Sequence, residues 1–340
     1  MTDAKLRVLH LIGVDDSRTV TVSFLSPDPA RLRYGCAGNV EFAPLVDPDR
    51  FELVPLLCGD IPSESADVAR LDVALNAICD PDTNGASLRA AAKVVKQLGI
   101  GVVNDPAKVA RTSRDQVATA LAGLAGVVVP STIKVAPSYI SEVEHLLDAG
   151  AATAPFLFRE AGSHGGHALV RIDHRSQLRN LERFAFDGRR FYVSDFVDFR
   201  SDDGLYRKYR VLVIGGSVHR KHLIICDDWN IHSRSRSFMG DRPDLQAEED
   251  AWVEEASLNL APFAAMHALL GLDFFGVDFG VLPDGRMVLF EVNACVRALQ
   301  GGTTQSGIDS HADTTERIKE SLASVLLDKA RLRQPASGSP

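Results

Sequence analysis

The sequence predicts an α/β protein built of several lobes, and three observations predict it. Short apolar strands alternate with helical stretches over residues 6 to 110. A glycine-rich turn, Gly162-Ser163-His164-Gly165-Gly166-His167, is flanked by strand-like runs. Two further apolar runs around Asp284-Gly285 read as a β-hairpin near the C-terminus.

Taken in order, Val8 to Ile12 and Phe51 to Leu57 are predicted strands, because apolar residues dominate both runs. Ser87 to Leu98 has helical spacing, Gly99 is placed to end it, and Ile100 to Val103 restarts as a buried strand. Ser113-x-x-Gln116 matches a capping box ahead of Val117, Leu121 and Leu124, so another helix is expected there. Pro155 to Arg159 and Ala168 to Ile172 bracket the glycine turn and make it a hairpin. From Phe191 to Cys226 the pattern stays strand-like, Ala251 to Leu270 returns to helical spacing, and Thr314 to Leu332 predicts a closing helix. Gln334 to Pro340 is polar and rich in Pro and Ser, and is expected to be disordered. The expected division is an N-terminal α/β lobe at 1–110, a subdomain with the glycine loop at 111–190, a second subdomain at 191–333 and a tail at 334–340.

Hydrophobic residues make up 45% and charged residues 24%, the balance of a chain that folds throughout. A net charge of −8 repels polyphosphate backbones, so no nucleic-acid partner is expected. No run approaches the roughly 18 apolar residues of a membrane span, and Met1 to Lys5 leads into too short an apolar stretch for a signal segment. A cytoplasmic protein with no membrane partner is expected, with room for a homodimer. Cys36, Cys58, Cys79, Cys226 and Cys295 are scattered without a Cys-x-x-Cys pair and read as reduced thiols.

The hairpin at residues 275 to 293 carries the strongest chemical signal. With Asp284-Gly285 as a two-residue turn and Pro283 facing Arg286, Asp278 faces Glu291 and Gly276 faces Asn293. Period-two alternation then gathers Asp278, Glu291 and Asn293 on one face. Opposed carboxylates in apolar strands repel, which calls for a cation between them. An oxygen-only donor set suits Mg²⁺ or Mn²⁺, completed by phosphate oxygens and water. A solvent-exposed face that keeps the strands soluble is the alternative reading.

The glycine turn offers backbone N–H groups that can close over phosphate oxygens, although an ordinary turn has the same composition and no Gly-x-x-x-x-Gly-Lys-[Ser/Thr] loop occurs. Arg159, the lone charge in its strand, needs an anion: a nucleotide phosphate, or Glu160 or Asp195. Residues 204 to 236 hold Arg207, Lys208, Arg210, Arg220, Lys221, Arg234 and Arg236 against only Asp227 and Asp228, so anions are expected there. Arg210 opens the apolar run Val211 to Ile214 and is therefore placed near the core. His164-x-x-His167, His219-x-x-His222 and His232 offer a zinc alternative, but their strand and loop contexts lack the helical spacing of a metalloprotease. His222 and His232, with Lys208, read better as substrate contacts.

In sequence order these motifs resemble the ATP-grasp superfamily, which includes glutathione synthetase, D-alanine–D-alanine ligase and the ribosomal-protein glutamate ligases. Asn104-x-Pro106 with Thr112 to Asp115 resembles the junction into the grasp domain, and Pro130-Ser131-Thr132 resembles the Pro-x-Thr after its first helix. Pro155 to Arg159 with the glycine turn resembles the strand and loop over the triphosphate. Ser194-Asp195-Phe196-Val197 resembles the hinge that pairs with adenine, with Asp198 near the ribose. Tyr209 to Gly216 resembles the strand whose arginine, here Arg210, meets the transferred phosphate. Gly276-x-Asp278 and Glu291-x-Asn293 resemble the metal-binding strands.

The chain departs from that pattern at Gln116 and Arg159, where the family usually has lysine, and at Cys295-Val296-Arg297, where Gly or Pro is common; Arg297 is a candidate contact for an acidic substrate. The resemblance implies ATP and Mg²⁺ or Mn²⁺ as cofactors, small-molecule or peptide carboxylate and amine substrates, and ADP-forming amide synthesis through an acyl phosphate. An ATP-grasp phosphotransferase and a non-catalytic nucleotide-binding regulatory module are the alternatives.

Overall fold

The computed structural model describes residues 5–24, 32–59, 70–163, 166, 168–254, 258–294, 296, 298 and 312–332. The expected disorder of 334–340 and the expected roles of His164, Gly165, His167 and Arg297 fall outside these residues, as does Cys295.

The N-terminal lobe contains β1 (Leu6–Gly13), β2 (Thr21–Phe24), β3 (Leu32–Gly35), β4 (Phe51–Cys58), β5 (Val73–Asn76), α1 (Gly85–Leu98), β6 (Gly101–Val103) and α2 (Pro106–Val109). Strands β4-β1-β5-β6 form a parallel sheet, while β2 and β3 pair as a separate antiparallel ribbon. Helix α1 ends as expected at Gly99, whose φ of 60° closes the last turn without a Cβ clash. Asn104 ties this sheet to the C-terminal one. Its side chain donates to the carbonyl of Phe274 at 2.7 Å and accepts from the N–H groups of Asp273 and Phe274.

The middle of the chain supplies α3 (Arg114–Ala120), β7 (Val127–Val128), β8 (Thr132–Val135), α4 (Ile140–Asp148), β9 (Phe156–Glu160), β10 (Leu169–Ile172) and β11 (Phe191–Asp195). Strands β10-β9-β11-β8 form an antiparallel sheet. Alternation assigns its faces: Phe156, Phe158, Phe191, Val193 and Ile172 pack into an apolar cluster with Val143 of α4. Leu157, Arg159, Tyr192 and Ser194 therefore point the other way.

The C-terminal part adds β12 (Tyr206–Ile214), β13 (Ser217–Cys226), α5 (Pro243–Glu254), α6 (Ala261–Leu270), β14 (Phe274–Val281), β15 (Met287–Asn293) and α7 (Ala312–Ala330). The sheet β13-β12-β14-β15-β7 carries α7 against one face, where Leu322 and Leu326 are fully buried.

Four expectations are corrected. The helix expected over Ala251 to Leu270 is two helices, because Pro262 in the first turn of α6 cannot continue a helix from upstream, and the Asn259 side chain accepts from the Ala261 N–H. Ser113 occupies the N-cap of α3 but makes no capping bond; its hydroxyl donates to Asp115 and Gln116 side chains instead. The turn between β14 and β15 spans three residues, with Leu282 bonded to Arg286 and Gly285 at φ 82°. Cys79 is disulfide-bonded rather than reduced, while Cys36, Cys58 and Cys226 are free.

Candidate active site

The second and third sheets face each other across a cavity of about 1100 Å³ that also reaches Asn39 and Glu41 of the N-terminal lobe. Each sheet carries one row of polar and charged residues running across the strands; Arg210, Asp278 and Glu291 of one row and Arg159 and Tyr192 of the other line the cavity, whereas Lys134 and His222, the latter expected as a substrate contact, are not among its lining residues.

In the third sheet the row is His222, Arg210, Asp278 and Glu291, each directly opposite the next. The pairing of Asp278 with Glu291 and of Gly276 with Asn293 is the one expected, but it is reached differently. The three-residue turn shifts the register by one, and a bulge beside Phe279 shifts it back before Asp278. A second bulge, between Arg210 and Val211, sets His222 opposite Arg210.

The expected repulsion between the carboxylates is relieved by side chains. Arg210 makes a bidentate pair with Asp278 at 2.5 and 2.6 Å, and Lys208 lies 3.4 Å from the same carboxylate. Arg114 holds Glu291 at 2.6 Å, and the Asn293 amide donates to Glu291 at 3.1 Å. Burial alone would raise the Asp278 pKa, yet Arg210 and then Lys208 hold it well below the usual carboxylate range. Burial likewise works against the charged form of Arg210, and Asp278 outweighs it and holds the guanidinium above its ordinary value. His222 is pushed well below its ordinary value by burial and then by Arg210, so it is neutral near pH 7.

In the second sheet the row is Arg159, Tyr192 and Lys134, again directly opposite one another. Arg159 donates to the carbonyl and the hydroxyl of Ser163 in the glycine turn, at 2.5 and 3.2 Å, and not to Glu160 or Asp195. Burial, then the nearby Arg114, pushes Arg159 down to about 10, so it remains a cation. Gly162 and Gly166 are each packed closely against another loop. A Cβ on Gly162, at φ 74°, would lie 2.5 Å from Thr83, and one on Gly166, at φ 75°, would lie 2.9 Å from His232.

Asp195, Phe196 and Val197 line the cavity, with the Asp195 and Phe196 N–H groups already bonded to the carbonyls of Ser131 and Pro155. Arg171 stacks 3.8 Å above the Phe196 ring and Trp229 meets it edge-on, which makes this end of the cavity aromatic. Asp198 is not among the lining residues; its carboxylate accepts from the Arg200 N–H. Lys208 and His232 do line the cavity. Lys208 donates to the Ile231 carbonyl, and His232 caps the following turn through Nδ1.

The anion-binding segment is smaller than its seven cations suggested. Arg207 is held by Asp203 and Glu248, Arg236 by Glu249, and Arg220 by the Trp252 carbonyl and ring. Among the described residues no group of three or more His, Cys, Asp or Glu side chains is placed to hold a metal, and His219 bonds Ser321 away from the row.

Four residues were missed. Arg114 lines the cavity beside Glu291. Lys134 pairs with Asp82 at 2.8 Å and lies 3.6 Å from Asp115, and the Tyr192 hydroxyl donates to Asp82 at 2.6 Å. Asp82 adjoins Arg114, Gly162, Ser163, Glu291 and Asn293 in a recess of about 30 Å³. Lys134 was findable, since it is the lone charge in its strand, the same signal that picked out Arg159.

No family model and no curated protein matches the sequence. Among solved structures, D-alanine–D-alanine ligase from Bacillus anthracis complexed with ATP is similar at 15% identity and TM-score 0.54, over 96% of this chain and 98% of that one. VanG D-Ala:D-Ser ligase from Enterococcus faecalis is similar at 14% identity and TM-score 0.51, over 95% and 99%. A RimK domain protein ATP-grasp from Sphaerobacter thermophilus is similar at 17% identity and TM-score 0.50, over 94% and 99%. The chain has the ATP-grasp fold.

Proposed function

We propose that this chain is an ADP-forming ligase that joins a small-molecule or peptide carboxylate to an amine. The observation that carries the reading is the pair of facing rows: Arg159 with the glycine turn on one wall, and Arg210, Asp278, Glu291 and Asn293 on the other. The fold's likeness to ligases, one of them in complex with ATP, supports it.

The aromatic end lined by Phe196 and Trp229 suits a nucleobase, and the hinge backbone groups not spent on Ser131 and Pro155 are left to pair with it. Arg159 and the turn at Gly162, Ser163 and Gly166 then face the phosphates. Asp278, Glu291 and Asn293 are an oxygen donor set of the size that Mg²⁺ or Mn²⁺ uses when phosphates supply the other ligands, and these residues would hold it. When bound, the ion neutralises phosphate charge. Arg210 orients the γ-phosphoryl group. A carboxylate oxygen attacks the γ-phosphorus, the bond to the β-phosphate oxygen breaks, and ADP leaves. The amine then attacks the acyl carbon, inorganic phosphate leaves with the bonding pair, and the amine gives up a proton. Arg210 also faces the charge that develops in this second step.

Hydroxylamine supplied in place of the amine tests the reading. A hydroxamate formed together with ADP is expected. AMP with pyrophosphate contradicts it, a stable phosphorylated product without hydroxamate identifies a phosphotransferase, and ATP binding without turnover across a broad pool of acids identifies a regulatory module.

A further inference from the structure

Arg114 links the two rows. It is the first residue of α3, on a backbone held by the buried Thr112 and Ser113, and its side chain lines the cavity together with Arg159, Asp278, Glu291 and Asn293. Its guanidinium donates to Glu291 Oε1 at 2.6 Å, and the Asn293 amide donates to the same oxygen at 3.1 Å. A carboxylate oxygen has two lone pairs, so both on Oε1 are spent on side chains. The other Arg114 contact, to the Phe290 carbonyl, is long at 3.3 Å. Arg159 senses both members of the ion pair: after burial, Arg114 lowers its pKa and Glu291 raises it. Two guanidinium groups therefore share the surroundings of one carboxylate, on the wall where phosphates are proposed to lie.

A divalent ion that takes Glu291 as an oxygen donor needs lone pairs that Arg114 now uses, and its charge repels the guanidinium. Phosphates in the same cavity attract that guanidinium as they attract Arg159. We infer that Arg114 exchanges partners on ligand binding: it neutralises Glu291 in the ligand-free protein and moves to the nucleotide phosphates when a divalent cation takes Glu291. Resting on the nucleotide and metal reading of this site, the exchange goes beyond it, since it makes Arg114 a competitor of the metal and a partner of the phosphates.

Binding measurements test the exchange without turnover. Arg114→Met should bind Mn²⁺ alone about tenfold more tightly than wild type, followed by the electron paramagnetic resonance of the free ion, and should bind ATP with Mn²⁺ about tenfold more weakly by calorimetry. Adenosine binding should be unchanged and reports that the variant is folded; Arg114→Gln repeats the test if Arg114→Met does not bind adenosine. A fixed charge near the site would shift both affinities too, so a double-variant cycle decides whether Arg114 itself is released. With ATP in EDTA, Glu291→Gln loosens the hold on Arg114 and should tighten ATP about fivefold in the wild-type background, but less than about twofold in Arg114→Met. Equal gains in the two backgrounds, unchanged or weaker Mn²⁺ binding in the Arg114 variants, or unchanged ATP binding overturns the exchange and leaves the nucleotide site standing. Failure of wild type to bind ATP with or without Mn²⁺ overturns both.

Discussion

The two charged rows that face each other across the cavity are built differently. Arg159, Tyr192 and Lys134 lie in regular register on one face of three neighbouring strands of the second sheet. His222, Arg210, Asp278 and Glu291 line up only because two bulges interrupt the third sheet on either side of Arg210 and Asp278. The first row is anchored to a carboxylate of the N-terminal lobe, Asp82, whereas the second contains its own counter-charges. A regular sheet can present cations that depend on another lobe for balance. A bulged one concentrates acid and base within a single layer.

The difference predicts that Asp278→Asn has the largest effect. Turnover should be nearly abolished, and the protein should be destabilised by about 3 kcal/mol or more, because Arg210 is left buried without its bidentate partner. Glu291→Gln should cost similar activity but less stability, since its side chain is 21% exposed. Denaturant melts and steady-state assays on both variants check this. Equal stability loss would make the two carboxylates equivalent and break the contrast.

Next in size is the effect on nucleotide binding. Arg159→Met should weaken ATP binding about tenfold or more while changing adenosine binding little, as loss of a charge-assisted phosphate contact requires. Lys134→Met should instead lower stability first, because it leaves Asp82 with only the Tyr192 hydroxyl. Gln116→Ala should change ATP binding little and cost about 0.5 kcal/mol or less, for Ser113 makes no capping bond that the variant could remove. Calorimetric titrations with ATP and adenosine separate the three. A Gln116 defect larger than that of Arg159 would move the phosphate site.

Much of the second sheet was legible because its devices are local. Glycines mark the turn, apolar runs mark the strands, and alternation puts Arg159 and Tyr192 on the cavity face. In the third sheet the end of the argument was right while its path was not. A two-residue turn and a continuous ladder give the same Asp278–Glu291 pairing as a three-residue turn followed by a bulge, because the two one-residue shifts cancel. Counting cations over residues 204 to 236 overstated the anion site, since Asp203, Glu248 and Glu249 reach into it from outside the counted segment. The Asp82 pairing joins residues more than fifty positions apart, and no spacing rule reaches that far. Cys79 is the same kind of case, because a disulfide between distant cysteines leaves no local pattern.

An effect on acid stability and not on activity concerns a buried titratable group that belongs to neither row. His10, in β1, has its Nε2 buried without a hydrogen-bond partner, and burial pushes its pKa down to about 4. Its folded value lies below the unfolded 6.5, so the unfolded chain binds the extra proton. Stability is therefore intact above pH 6.5 and is lost as the pH falls toward 4. The full loss from this group is about 3 kcal/mol. His222 and His219 are lowered by burial as well and act in the same direction, so the slope is shared. Asp278 acts in a separate window. Its folded value is depressed, so its contribution is present above the unfolded value near 3.8 and is lost only below that. Melts of wild type and His10→Phe between pH 7 and pH 4 should converge on a smaller loss in the variant, with the part below pH 4 unchanged. An identical loss between pH 7 and pH 4 in both proteins would assign that window to His222 and His219 and would leave His10 without influence on acid stability.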